Sequence, residues 1–342
     1  MCPSDVPEML KPASAGEARR RAFRARAAAA GLLPSWEWRQ APRPSEPQAS
    51  TAPQLWRWSH MRRLALEAGE IITAKAAERR VLSLLGSGQS GVSPRVTPTL
   101  FAGIQALMPG ETAPAHRHSA SALHFVLEST GGYGRVEGER VAMRPGDLVV
   151  GPPWLLHAHG NEGSTPAIWL DVLDTPLVRF FDAAFFQSGD ATDRMPGSAS
   201  RAGAALHYPY DDMRAALLAA AGDDADGIPE PVALRYGAAG DGWLLPTIAA
   251  WMLHLPAGSG TAPRRSTDGI IVVVAEGKAT AMIGGQSVAL APRDVLVVPN
   301  WCWRSFRAEE DGGCFLFCCS DRAAQEKLGL WREERRPPQA SQ

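Results

Sequence analysis

Residues 114–129 read PAHRHSASALHFVLES, and three of these positions, His116, His118 and His124, are histidine in a chain that has eight. All three are even-numbered. Alternate side chains of a strand point to the same face. An extended reading therefore puts the three imidazoles on one face, with the small Ala120 and Ala122 between them. Leu123, Phe125 and Leu127 then point the other way, toward packing. Two imidazoles two residues apart on a strand are spaced to grip one metal ion, and such a site is read from spacing plus a third ligand. A surface strand with scattered histidines is the plain alternative. The candidate for the third ligand is His157, in PPWLLHAHGN, 39 residues after His118 at the end of a strand that can pair back near the first. His159 follows on the same face, so five of the eight histidines fall between 116 and 159.

Outward from this stretch, from about Thr97, short apolar runs alternate with Gly/Pro/Asp turns: TLFAGIQALMPG, ALHFVLES, GYGRVEGERVAMRPGD, LVVGPPWLLHAHG, AIWLDVL. This is the rhythm of β-sandwiches and barrels. A looser stretch follows over about 186–235, with one helical piece, DDMRAALLAAAG. The β rhythm then returns in IAAWMLHLPAG, IIVVVAEGKATAMIGGQSVALAPRD, VLVVPNWCWRSF and CFLFCCSD. MRPGDLVVGPPW (143–154) parallels LAPRDVLVVPNW (290–301), which predicts internal duplication of a β unit.

Composition sets the limits. A chain of 342 residues is long enough for about two domains, and its 45% hydrophobic and 21% charged residues are those of a globular protein. A formal net charge of −1 gives no electrostatic case for nucleic acid or an acidic membrane. No apolar run reaches the length of a transmembrane helix. The arginine-rich N-terminus has no apolar signal core, so the expected location is cytoplasmic. The cysteines (2, 302, 314, 318 and 319) are odd in number, two are adjacent and no CxxC occurs, which reads as reduced, mostly buried thiols. Near the N-terminus, the capping-box pattern Ser14-Ala-Gly-Glu17 opens a predicted helix that stops at Gly31. Residues 40–54 are a Pro/Ser-rich linker, and a second helix is predicted from about Ser59, as its cap, to Ala77. Trp36, Trp38, Trp56 and Trp58 bracket the linker and are expected to pack this arm onto the main body.

Gly110, five residues, then His116-x-His118 matches the first signature of the cupin barrel. Gly146, five residues, Pro152, His157 and Asn161 match the second. The usual cupin glutamate, due at about 122–123, is replaced by Ala122 and Leu123, leaving a three-histidine site. Neutral imidazoles suit Fe(II), zinc or copper, and a facial set of three leaves coordination positions open. Together with ERRVLSL (78–84) and WLDVLDTPLV (169–178), these segments resemble the bicupin ring-cleaving dioxygenases, that is, gentisate 1,2-dioxygenase and its salicylate and 1-hydroxy-2-naphthoate relatives. The resemblance runs over roughly residues 55–335.

It implies a mainly β fold, a bicupin of two β-barrels (double-stranded β-helix, or jelly roll) with an N-terminal helical arm. The expected division is 1–95 for arm and linker, 96–185 for a metal-binding cupin, 186–235 for a connecting segment and 236–335 for a second cupin. Laying Arg265 on Arg117 and Trp301 on Trp154 puts Arg264, Ser266 and Arg304 at the second cupin's metal positions, so that barrel is expected to be metal-free and structural.

The resemblance further implies Fe(II) on His116, His118 and His157, with dioxygen and a small aromatic hydroxy acid as partners, in a homo-oligomer (tetramer or dimer). The reaction it implies opens a gentisate-type ring between the carboxyl-bearing and hydroxyl-bearing carbons. His159 is then the acid/base residue. Phe101, Gly103 and Gln105 face the substrate ring, with Gly103 leaving space, and Arg80, chosen over Arg79, binds the acid. Asp174 orients a ligand histidine or caps a turn. The family carries arginine in a SALRF-type string where this chain reads SALHF, so His124 is expected to be an altered substrate-recognition residue. That change keeps open a 5-substituted salicylate such as 5-nitrosalicylate, or 1-hydroxy-2-naphthoate, as substrate. A non-dioxygenase cupin such as an isomerase, or a bicupin that only binds an aromatic acid, are the rival classes.

Overall fold

The computed structural model describes residues 15–36, 44–87, 93–189, 206–222, 230–237 and 242–336. The chain divides into two compact units, 1–46 and 47–342. In the first, α1 (Ala15–Ala29) carries Glu17 in its opening turn and Arg26 in its last, which suits the helix dipole. It ends at Gly31, whose φ of +70° a residue without Cβ adopts freely. Phe23 stacks on Trp36 in the same unit. Ser14, the expected cap, and Trp38 lie outside the described residues.

The second unit is almost all strand. Its elements run β1 (Gln54–Trp56), α2 (Trp58–Ile71), β2 (Val81–Ser83), β3 (Phe101–Leu107), β4 (Thr112–His118), β5 (Ala122–Glu128), β6 (Gly132–Val136), β7 (Glu139–Ala142), β8 (Leu148–Gly151), β9 (His157–Asn161) and β10 (Ala167–Leu173). There follow α3 (Thr175–Phe180), β11 (Phe186–Ser188), β12 (His207–Tyr208), α4 (Tyr210–Ala220), β13 (Val232–Arg235) and β14 (Ala249–Leu255). The chain closes with β15 (Arg264–Ser266), β16 (Ile270–Glu276), β17 (Ala279–Ile283), β18 (Gln286–Leu290), β19 (Val295–Val298), β20 (Arg304–Ala308), β21 (Cys314–Ser320), α5 (Arg322–Lys327) and β22 (Glu333–Arg335). Helix α2 stops at Ile71 rather than Ala77, and Arg57, not Ser59, occupies its N-cap, without a side-chain cap bond.

Each half of the unit pairs a six-stranded with a five-stranded sheet: β12-β8-β5-β10-β3-β2 with β11-β4-β9-β6-β7, and β1-β19-β16-β21-β14-β13 with β18-β17-β20-β15-β22. The segments expected as arm and connector are thus partly built into the sheets, since β1 extends the second half and β12 the first. Of the four tryptophans expected to pack on the main body, Trp56 and Trp58 do so, whereas Trp36 is largely exposed.

The duplication reaches backbone detail. Trp154 and Trp301 both take positive φ (68° and 56°), and their amides donate to His118 O and Ser266 O at 2.8 and 2.6 Å. Gly146 and Arg293 hold the matching turn position at φ of 86° and 67°, with amides bonded to Val126 O and Val274 O.

Strand alternation separates two cores. On β3, β5 and β10 one set of side chains (Ala102, Ile104, Ala106; Leu123, Phe125, Leu127; Ile168, Leu170, Val172) joins Ile271, Val273 and Phe317 in the core between the two six-stranded sheets. Phe125 stacks on Phe317 with centroids 4.3 Å apart. The other set faces the first barrel's interior, where Leu107, Val126 and Trp169 form a small apolar floor. Residues such as Gln105, His124 and Asp171 are therefore forced inward, toward the opposing sheet that carries the remaining histidines.

Candidate active site

His116 and His118 end β4, and His157 opens β9; His116 and His157 are direct cross-strand partners. One ligand-capable atom from each of the three lies within 4.8 Å of the others. His118 Nδ1 donates to Ala120 O at 2.8 Å and His157 Nδ1 to Leu155 O at 2.9 Å, leaving Nε2 of each as the lone-pair atom. Arg79 donates from Nη2 to His116 Nδ1 and to Pro114 O. Three buried or half-buried imidazoles with no carboxylate among them fit a borderline divalent metal with open positions.

The opening stretch is not a single strand: a turn at 119–121 separates β4 from β5, so the shared parity of His124 with His116 and His118 is incidental. His124 nonetheless reaches the same space from the other sheet, its ring 6.2 Å from His157 and 4.8 Å from His159. Leu123, Phe125 and Leu127 pack on the opposite side, as expected.

A cavity of about 380 Å³ opens over the cluster. His159 and Gln105 line it, and His159 Nδ1 and Gln105 Nε2 are buried polar atoms without a hydrogen-bond partner. Such groups are rare in a settled interior and mark a place for a polar ligand. Phe101 forms part of the wall, while Phe185 and Phe186 line the cavity with rings more than half exposed. Gly103 does not line it: a Cβ there would meet Val81 Cγ1 at 2.6 Å and Phe101 Cζ at 3.0 Å, so the glycine makes room for two side chains that do.

Two expected contacts change hands. Arg80 is turned away from the cavity and buried, its guanidinium spent on Glu111, Ile72 O and Ala106 O. Alternation around β2 instead sends Arg79 and Val81 to the cavity wall. Asp174 touches no histidine; it accepts from Ser121 N at 2.8 Å and from Thr247 Oγ1. The residue that does orient a histidine is Asp171, missed in the sequence, whose Oδ1 accepts from His124 Nδ1 at 2.6 Å and Trp169 Nε1 at 2.7 Å. Its signal was available: inward parity on β10, directly opposite His124.

Burial, reinforced by neighbouring imidazoles and Arg79, holds His116, His118, His157 and His159 below the ordinary histidine range. These four stay neutral in the fold but take up protons in the unfolded chain below about pH 6.5. The unfolded state then binds more protons, so the metal-free chain loses stability as pH falls, by roughly 1.4 kcal/mol per pH unit for each net proton. Burial raises Asp174, and raises Asp321 to about 6, which acts in the opposite direction, whereas His254, also lowered by burial, acts with the four histidines. The urea midpoint of chelator-treated protein is expected to drop between pH 6.5 and 5; a midpoint that holds level would remove the buried neutral histidines.

Residues 103–173 match the cupin domain family. The chain is 37% identical to gentisate 1,2 dioxygenase 1 of Aquipseudomonas alcaligenes, over 95% of this chain and 98% of that one. The chain belongs to the bicupin ring-cleaving dioxygenases. It is also 34% identical to the 5-aminosalicylate 1,2-dioxygenase of a Comamonas species, over 90% of this chain and 88% of the relative. Among solved structures, the salicylate 1,2-dioxygenase of Pseudoaminobacter salicylatoxidans with gentisate bound superposes with a TM-score of 0.82 at 30% identity, covering 98% of this chain and 96% of that one. The bicupin architecture and the enzyme class read from the two histidine signatures therefore hold.

Proposed function

We propose that this chain is an Fe(II)-dependent dioxygenase that opens a gentisate-type ortho-hydroxy aromatic acid between its carboxyl-bearing and hydroxyl-bearing carbons. The observation that carries this is the all-imidazole cluster of His116, His118 and His157 at the base of a cavity walled by a cation and apolar rings. Bound iron supplies a Lewis-acidic, redox-active centre with open positions for the acid's two oxygens and for dioxygen. The protein's part is to bind and orient. The Phe101 ring and Val81 flank the aromatic face. Arg79 meets the carboxylate. His116, His118 and His157 would hold the ion, and Arg79, whose guanidinium contacts His116 on the cavity wall, is the cation placed beside that cluster. His159, neutral and with Nδ1 unpartnered, takes the phenolic proton, and Gln105 offers its free amide N–H to a substrate oxygen.

In the same reading residues 96–185 form the metal barrel and 236–335 the metal-free one, joined through 186–235 and preceded by the arm of residues 1–95. The enzyme is a cytoplasmic homo-oligomer, dimer or tetramer. The thiols of Cys302, Cys314, Cys318 and Cys319 are free, which suits a reducing compartment, and no described helix is long and apolar enough to cross a membrane.

The test is oxygen uptake by iron-loaded protein with gentisate, salicylate, 5-aminosalicylate, 5-nitrosalicylate and 1-hydroxy-2-naphthoate. Uptake matched by loss of ring absorbance is expected with at least one; silence across the panel with iron bound would reject the reaction. His124 has Nδ1 committed to Asp171, so only Nε2 remains, where the family arginine presents a fork. His124→Arg is expected to move the kcat/KM ratio toward gentisate by about tenfold or more, a change of some 1.4 kcal/mol in relative transition-state binding. An unaltered profile would mean that His124 does not read the substrate.

A further inference from the structure

The second barrel has a cavity at the position that holds the three histidines in the first, and its polarity is reversed. Arg264 and Arg304 are cross-strand partners on β15 and β20, as His116 and His157 are on β4 and β9. Both line a cavity of about 240 Å³, with Ser266 between them in sequence register and Trp243, Trp251 and Trp331 on its walls.

Two guanidinium groups directly opposite each other repel. Arg304 is 4% exposed; its Nη2 donates to Ser266 Oγ at 2.8 Å, but its buried Nη1 has no hydrogen-bond partner. Among the described residues no carboxylate stands within ion-pair distance of either arginine. The two acids that line the cavity are used elsewhere: Asp268 accepts from Trp331 Nε1 at 3.2 Å, and Glu333 pairs with Arg335 at 2.6 Å. Arg322, also on the wall, is held by Glu326 at 2.7 Å. Burial lowers the Arg304 guanidinium to about 10, with Arg264 adding to the shift and Asp268 and Glu333 opposing it without an ion-pair contact. A buried cation with an open donor is costly unless an anion completes it.

We propose that this cavity is a second ligand site, which takes a small aromatic carboxylate. The carboxylate bridges Arg264 and Arg304, accepting from the free Nη1, and the ring lies against Trp243 and Trp251. Loss of the metal ligands in this barrel is then a change of ligand sign rather than decay to a filler: the same pair of strand positions that suits imidazoles for a cation suits guanidiniums for an anion. The inference stands apart from the proposed reaction, because it uses no residue of the first cavity.

The test uses full-length protein labelled with 5-fluorotryptophan and titrated with benzoate, which lacks the ortho-hydroxyl and so is not a ring-cleavage substrate of the proposed kind. Fluorine lines are assigned by single Trp→Phe variants. The Trp243 and Trp251 lines are expected to shift saturably, and the Trp169 line, beside His159, reports separately on the first cavity. Arg264→Gln, at a half-buried position, is expected to weaken the Trp251-detected affinity about tenfold or more, whereas Arg79→Met leaves it unchanged. Arg304→Met should do the same as Arg264→Gln, and the milder variant keeps the test decisive if the buried one fails to fold. Inorganic phosphate is expected to bind more weakly than benzoate. Static Trp243 and Trp251 lines, an affinity untouched by Arg264→Gln, or phosphate binding as tightly as benzoate would each overturn the proposal.

Discussion

Replacing His157 with alanine is expected to remove bound iron and ring opening together while leaving the barrel folded. His157 is the cross-strand partner of His116 and the only one of the three cluster histidines contributed by β9. Its loss leaves two imidazoles from a single strand, too few to hold a metal facially. The position of the cupin glutamate is filled by Ala122 and Leu123, and the one carboxylate among the described residues lining the cavity, Asp171, is engaged by His124 and Trp169. The fold should survive. The truncation deletes the imidazole's contacts but also removes a buried polar group that resists protonation, so the chelator-treated variant should lose less stability on acidification than the parent. His254→Ala, on β14 of the second barrel, serves as the control and should keep full iron content. Metal analysis after gel filtration, alongside oxygen uptake, checks both. Stoichiometric iron retained by His157→Ala would exclude it as a ligand, whatever happened to the rate.

How much of this was legible in the sequence follows from which interactions are periodic. The barrels were, because period-two alternation and turn residues repeat through both halves, and MRPGD and LAPRD fold into the same turn even though glycine becomes arginine at the positive-φ position. The Arg264–Arg304 pairing was legible too, since it needed only a register laid over Arg117 and Trp154. Side-chain direction at irregular points was not. Arg79 and Arg80 are adjacent, and nothing in composition says which one enters the cavity; that is decided where β2 joins β3, with Val81 opposite Gln105. Asp174 and Asp171 posed the same difficulty three residues apart. One closes a turn with Ser121 and Thr247, the other faces inward, and only the strand's end point separates them. The three-residue turn between β4 and β5 was invisible because it happens to preserve parity. The helix over Trp58–Ile71 was overextended for a related reason: the alanine-rich ITAKAA after Ile71 continues a helical composition, while the chain there turns to bring Ile72 O and Ala74 N onto Arg80 and Glu111.

That last pair carries the largest expected effect on stability. Glu111→Leu is expected to destabilise the chain by roughly 3–5 kcal/mol, the usual result of leaving one member of a buried ion pair without its partner. Arg80 has a side chain only 3% exposed and meets both carboxylate oxygens of Glu111, at 2.9 and 2.5 Å. The same carboxylate accepts from the backbone amides of Ala74 and Met108 at 3.0 and 2.7 Å. Burial alone would raise the Glu111 carboxyl, yet these bonds hold it below the ordinary range, so it is ionised at neutral pH and fully engaged. Removing it strands a guanidinium and two amide N–H groups at once. Arg80→Met with Glu111→Leu should recover part of the loss, because no unpaired charge then remains and only the amides are left open. Arg80→Lys should not substitute for arginine, since one ammonium cannot span two carboxylate oxygens and two carbonyls in a fixed fork. Urea midpoints at pH 7 for the two single variants and the double separate these cases; a double variant no better than the worse single would mean that the backbone contacts, not the ion pair, set the energy. The consequence extends to the site. Arg80 fixes the segment that begins β2, and its neighbours Arg79 and Val81 form one wall of the first cavity. The double variant, even where its fold is restored, is therefore expected to show a raised KM for the acid substrate with a smaller change in kcat, as a guanidinium that is no longer aimed binds the carboxylate less well.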